Sequence, residues 1–164
     1  MIATVLPMKC FSGHSINVAE EPTKARDVCL LTAVANSVSF DYYLRQQVSA
    51  NLTQYFIHQC PVPRPAEHDA LANAIVRRAA RLVCVAPEFN EFAREAGLTG
   101  HEESVTDEAK RARLRAEIDG LVAHLYGLTE EEFAHILGTF PLVADPVKVA
   151  ARNAYRDIAK GLLQ

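Results

Sequence analysis

The sequence predicts a mostly helical α+β fold, in which a few short N-terminal strands pack on a long helix and a helical bundle follows. Three observations predict it. Residues 2–6 form a β-branched run that ends at Pro7, which is typical of a strand. Residues 61–65 contain three prolines in five positions, which indicates an extended connector. Every apolar pattern after that connector has helical spacing. We therefore predict two units, 1–65 and 66–164.

Composition restricts the class of protein further. The chain has 164 residues, of which 49% are hydrophobic and 23% charged, with a net charge of −3. This suits one globular domain and excludes collagen, disordered chains and disulfide scaffolds. No apolar run reaches the ~20 residues of a membrane span, and the N terminus lacks a basic signal-peptide start. The four cysteines are widely spaced, which favours reduced thiols. We expect a cytoplasmic protein without membrane contact.

The first unit contains the predicted strands. A second short strand is predicted over 16–19 and a third over Thr53–His58, before the prolines. Between them a single helix is expected from a cap at Thr23 to about Gln47. Its apolar stripe is formed by Val28, Leu31, Ala35, Val38 and Tyr42.

The second unit is expected to contain five helices. The first two cover 66–86 and 88–96, and Gly97 ends the second in a left-handed conformation. The third starts at residues 106–108 and ends at Gly127. Thr129 and Glu132 then have the spacing of a capping box for a helix that ends at Gly138. A cap at Asp145, before a proline, opens the last helix, whose predicted inward residues are Ala150, Ala154 and Ile158.

Catalytic and metal-binding motifs are absent from the sequence. It contains no glycine-rich nucleotide loop and no H-E-x-x-H pair, and the six histidines are scattered. We predict no catalytic residue, no cofactor site and no metal site in this chain.

One polar stretch suggests contact with nucleic acid. Residues 45–54 contain one charge and many amides and hydroxyls, where the long helix meets the third strand. Arg, Gln and Asn match base edges, and Ser or Thr can hold phosphates. Residues 1–65 carry five basic and four acidic residues, whereas 66–164 carry twelve and sixteen. A solvated helix end is the alternative. The candidate DNA-binding residues are Arg45, Gln46, Gln47, Ser49, Asn51 and Thr53.

Two longer patterns suggest a family. The first pattern consists of residues 30–47, 51–57 and 61–63, and the second consists of residues 121–133, 136–137 and 140–141. The two patterns occur in a characteristic order. This order resembles the C-terminal region of bacterial N6-adenine DNA methylases of the Eco57I-like type, which serve restriction–modification and phage defence. The first pattern is similar to their target-recognition region and the second to their helical tail.

The resemblance implies a non-catalytic DNA-recognition or support module of a site-specific adenine methyltransferase. The family's methyl-donor glycine motif and its Asn-Pro-Pro motif do not occur here. The S-adenosylmethionine of the parent family would therefore be bound by a separate methylase polypeptide. Duplex DNA and that methylase are the expected partners. The pattern also suggests a C-terminal piece of a larger methylase, with exposed edges that favour self-association. The alternative is a structural interaction domain that braces a methylase without contacting DNA.

Overall fold

The chain is described by a computed structural model that covers residues 3–6, 24–47, 57 and 59–163. Within these ranges every regular element is a helix. Short 3₁₀ turns at Pro87–Phe89 and His101–Glu103 lie among the longer helices. The α-helices are α1 (Ala25–Asn36), α2 (Val38–Gln47), α3 (Ala70–Val83), α4 (Asn90–Glu95), α5 (Glu108–Leu125), α6 (Glu130–Gly138) and α7 (Asp145–Ala159).

The predicted α+β class is wrong, because the described residues contain no strand. Residues 3–6 have no strand beside them, and the Asn36 side chain bonds the main chain of Ala3 instead. At the expected third strand, Ile57 is helical. The strand predicted over 16–19 lies outside the described residues. A β-branched run only forms a strand when a second strand pairs with it, and that partner is decided by the tertiary structure.

The long N-terminal helix is also interrupted, at Ser37. The Ser37 hydroxyl donates to the Val34 carbonyl at 2.7 Å, and its oxygen accepts the Phe40 N–H at 3.3 Å. The hydroxyl thus closes α1 and caps α2, an alternative to continuous helix that serine commonly offers. The break divides the predicted helix into two shorter ones.

The apolar stripe predicted on that helix is rotated in the structure. Of its five residues only Ala35 is buried, and Leu31 is 47% exposed. The buried face of α1 is formed by Ala25, Cys29, Leu30, Ala33, Val34 and Ala35.

The helix ends in the second half are largely confirmed. Gly97 has a φ of 89°, which fits the left-handed end predicted for it, and Gly127, predicted only to end its helix, also has a positive φ of 69°. Thr129 and Glu132 form both hydrogen bonds of the capping box. Asp145 is a correction: it lies inside α7, whose N-cap is Ala144 and has no side-chain bond.

The core joins both halves of the chain. Residues of α1, α3 and α5 share one hydrophobic cluster, to which Ile75, Val34 and Leu121 belong. A second cluster lies between α5, α6 and α7, around Phe133 and Tyr155. The division into two units at residue 65 stays a prediction. This packing places α5 at the centre, between α3 and α7.

Candidate functional site

An open groove of about 1120 Å³ lies between α5 and α7. Helices α1 and α3 and residues 3–5 also border it. Small apolar side chains at helical spacing line its two walls: Ala109, Ala112 and Ala116 from α5, and Val147, Ala150 and Ala154 from α7.

The outer part of this lining is exposed. Ala109, Ala112 and Ala150 are exposed, and Val147 is 51% exposed. The three residues of α7 that are predicted to face inward differ in the structure: Ala154 is buried, Ile158 is half-buried and Ala150 is exposed. The periodic alanines of α5 and α7 were the available signal for the groove. Periodicity shows that a helix has an apolar face, but not whether another part of the protein covers that face.

The charged groups that line the groove balance in sign. Three bases, Arg111, Arg113 and Arg115, line it together with three acids, Glu117 and Asp119 of α5 and Asp157 of α7. The three guanidinium groups also have partners inside the chain. One nitrogen of Arg111 donates to the carbonyls of Leu82 and Val105, at 2.9 and 2.8 Å, whereas Arg113 pairs with Glu117 and Arg115 with Glu108. When Asp119 is ionised these charges sum to zero, so the groove offers apolar surface with little net charge.

Glu117 of α5 links this helix to α3 through an ion pair. Its carboxylate accepts from Arg78 and from Arg113, each at 2.8 Å, and the residue is buried. Arg78 also donates to the Ala74 carbonyl at 3.1 Å. Buried carboxylates are tolerated when they are paired and hydrogen-bonded in this way, so the pair positions the α5 wall.

Asp119 is the titratable group with the most unusual environment in the groove. Its Oδ1 accepts the Val38 N–H at 2.9 Å, at the start of α2. Burial raises the pKa of Asp119 to about 7, although the hydrogen bond from Val38 acts in the opposite direction. A carboxyl with such a pKa suits acid–base chemistry. Its hydrogen bond to the first N–H of α2 also gives it a structural role as a helix cap.

The three predicted DNA-binding residues that the structure describes lie apart from the groove. Arg45, Gln46 and Gln47 occupy the exposed last turn of α2. Arg45 pairs with Asp41 at 2.9 Å and lies 4.9 Å from the centroid of the Phe140 ring. Helix C-termini carry partial negative charge, which does not favour phosphate. The other three candidates, Ser49, Asn51 and Thr53, lie outside the described residues.

A second hollow, of about 570 Å³, contains mixed charges. Arg77, Arg81 and Lys110 line it together with Glu102, Glu103 and Asp107. Arg81 donates to the Glu103 carbonyl at 3.1 Å, and the Arg77 and Glu103 side chains lie 3.6 Å apart. Because the acids neutralise the bases, this hollow does not favour an anionic ligand.

Among the described residues, no three His, Cys, Asp or Glu side chains could together hold a metal ion, and no helix has the length and apolarity needed to cross a membrane. No protein-family model, curated protein or solved structure matches the chain.

Proposed function

We propose that the chain is a non-catalytic protein-interaction module whose groove receives an uncharged, apolar segment of a partner protein. The observation that carries the proposal is the exposed apolar lining of the groove, represented by Val147 and Ala150 on α7 and Ala109 and Ala112 on α5. Contact between adjacent exposed apolar groups and water is unfavourable. A partner that covers these groups removes that contact and so gains binding free energy.

Size and charge support this choice of occupant. A volume of about 1120 Å³ exceeds the ~300–1,000 Å³ typical of small-molecule sites, so it suits a peptide segment. Small side chains such as Ala112 and Ala150 let a partner backbone approach closely. The balanced charges of the lining favour a neutral segment over a polyanion such as DNA.

The partner we propose is the catalytic polypeptide of an adenine DNA methylase. This identity rests on the sequence resemblance alone. In that arrangement the chain braces the methylase, which supplies S-adenosylmethionine binding and methyl transfer. The chain itself needs no cofactor.

Site-specific cross-linking tests the proposal. Benzoylphenylalanine at Ala150, inside the groove, should give a discrete adduct in the native host, whereas the same residue at Leu142 should not. Leu142 is 99% exposed and does not line the groove, so it is a matched control. The partner identified from the adduct should bind the purified chain, and Ala150→Asp should weaken that binding at least tenfold. Equal adducts at both positions, or unchanged affinity of the variant, would contradict the proposal.

Direct DNA recognition is the second candidate function. It is favoured by the exposed amides of Gln46 and Gln47 and by the 65% exposed side chain of Arg45. If Arg45 reads a base, Arg45→Ala should weaken duplex binding by about 1–3 kcal/mol. Fluorescence anisotropy with a labelled duplex over a range of salt concentrations measures this. Unchanged affinity and salt slope would refute the role, and Arg94→Ala, an exposed arginine on α4, is the control.

A further inference from the structure

A short piece of this chain already lies at one end of the groove. Ala3, Thr4 and Val5 line it together with Asn36 of α1. The Ala3 N–H donates to Asn36 Oδ1 at 3.0 Å, and Asn36 Nδ2 donates to the Ala3 carbonyl at 2.8 Å. One side-chain amide thus satisfies both main-chain groups of one residue, as a neighbouring strand would do in a sheet.

The orientation of the Asn36 amide is set by a third bond. Its Nδ2 also donates to the Thr32 carbonyl, at 2.8 Å, one turn earlier in α1. Both amide hydrogens therefore have acceptors, and the oxygen faces the N–H of the docked segment. One of the three bonds that orient the amide therefore comes from its own helix.

The side chains of the docked segment alternate between protein and solvent. Ala3 and Val5 are partly buried, whereas Thr4 and Leu6 are exposed. Val5 packs against the main hydrophobic cluster. This period of two is the pattern of an extended peptide that presents alternate residues to a surface. Val147 and Ala150, which line the same groove, are exposed.

We propose that the groove binds an extended, uncharged partner segment of small and β-branched residues, that Asn36 pairs with its main chain, and that residues 3–6 compete for the same end. This rests on the proposed function and names the conformation and sequence class of the occupant. The chain's own segment acts as an internal competitor, whose tethering gives it a high effective concentration. Weakening the internal segment should therefore strengthen binding of an external one.

A peptide with the sequence of residues 1–8, labelled with fluorescein, is the probe, and fluorescence anisotropy with the full chain is the assay. Val5→Asp in the chain should tighten peptide binding at least fivefold, because the partly buried anchor of the internal segment is lost. Leu6→Asp is the matched control, since it places the same charge on the exposed side of the segment, and it should leave the affinity within twofold of native. Adding Asn36→Ala to Val5→Asp should abolish the gain. The corresponding Val5→Asp change in the peptide should abolish binding without altering the protein.

Three results would overturn the proposal: equal effects of the two aspartates in the chain, an affinity gain that survives the addition of Asn36→Ala to Val5→Asp, or a dimer of the full chain that exchanges this segment between copies. Sedimentation velocity over a hundredfold range of concentration detects such a dimer. If the Ala150 cross-link forms but the peptide results fail, the groove binds its partner in another conformation. If the cross-link itself is absent, the proposed function fails instead.

Discussion

Replacing Gly120 by alanine should destabilise the protein because α5 and α7 touch there through their backbones. A Cβ at position 120 would lie 2.8 Å from the Tyr155 nitrogen and 3.1 Å from the Ala154 carbonyl carbon. Favourable contacts between such atoms need about 3.5 Å or more. Because main-chain atoms cannot rotate away, α7 has to move outward by several tenths of an ångström.

The magnitude follows from two opposing effects. Overfilling a packed interface costs about 1–3 kcal/mol, and here the cost falls near the upper end because a whole helix shifts. Alanine gains back up to about 1 kcal/mol of helix propensity over glycine. We therefore expect Gly120→Ala to lower the free energy of unfolding by about 2 kcal/mol and the Tm by roughly 4–8 °C.

Gly138→Ala is the matched control. Gly138 is the last residue of α6, and an added Cβ there meets no atom within 4 Å. This variant should be as stable as the native chain or slightly more stable. Urea unfolding followed by circular dichroism at 222 nm measures both. If the two alanines behaved alike, the close approach of α5 and α7 would be refuted.

Three further changes test the caps and buried charges by the same urea assay. Because burial raises the pKa of Asp119 from 3.8 to about 7, the folded chain retains a proton there that the unfolded chain releases. The free energy of unfolding should therefore fall by up to about 4 kcal/mol as pH rises through that interval, and Asp119→Asn should remove this loss. If Asp119 titrates normally in the folded chain, the native protein will show no such loss. Glu117→Gln should lower the free energy of unfolding by roughly 3 kcal/mol, because it leaves the Arg78 guanidinium without its carboxylate. Glu95→Gln, on the exposed side of α4, is the control, and an equal loss in both variants would contradict this prediction. Thr129→Ala should lower the free energy of unfolding by about 1 kcal/mol, because the cap of α6 is lost. Thr106 is an exposed threonine, so Thr106→Ala should change stability little, and similar losses in the two variants would argue against the capping box.

The helix ends of the second half could be predicted because the interactions that set them are local. The bonds between Thr129 and Glu132 span three residues, and a left-handed turn at Gly97 or Gly127 depends on one residue's own backbone. Such signals are complete within a short stretch of sequence.

Local signals of this kind could predict only part of the candidate sites. Arg45, Gln46 and Gln47 lie together in one exposed helical turn, which follows from their adjacency in the sequence. The groove required α5 and α7, separated in sequence by α6, to leave their alanine faces uncovered side by side, and no local pattern records that.

The sequence by itself determined that this chain builds helices after residue 65 and ends several of them at identifiable caps and glycines. The tertiary structure decided the break at Ser37, the face of α1 that is buried, and the fate of residues 3–6. The physical reason is distance along the chain. Val38 and Asp119 are 81 residues apart, and Ala3 and Asn36 are 33 apart. Polar groups accept whichever partner packing brings to them, so those outcomes depend on the assembled fold.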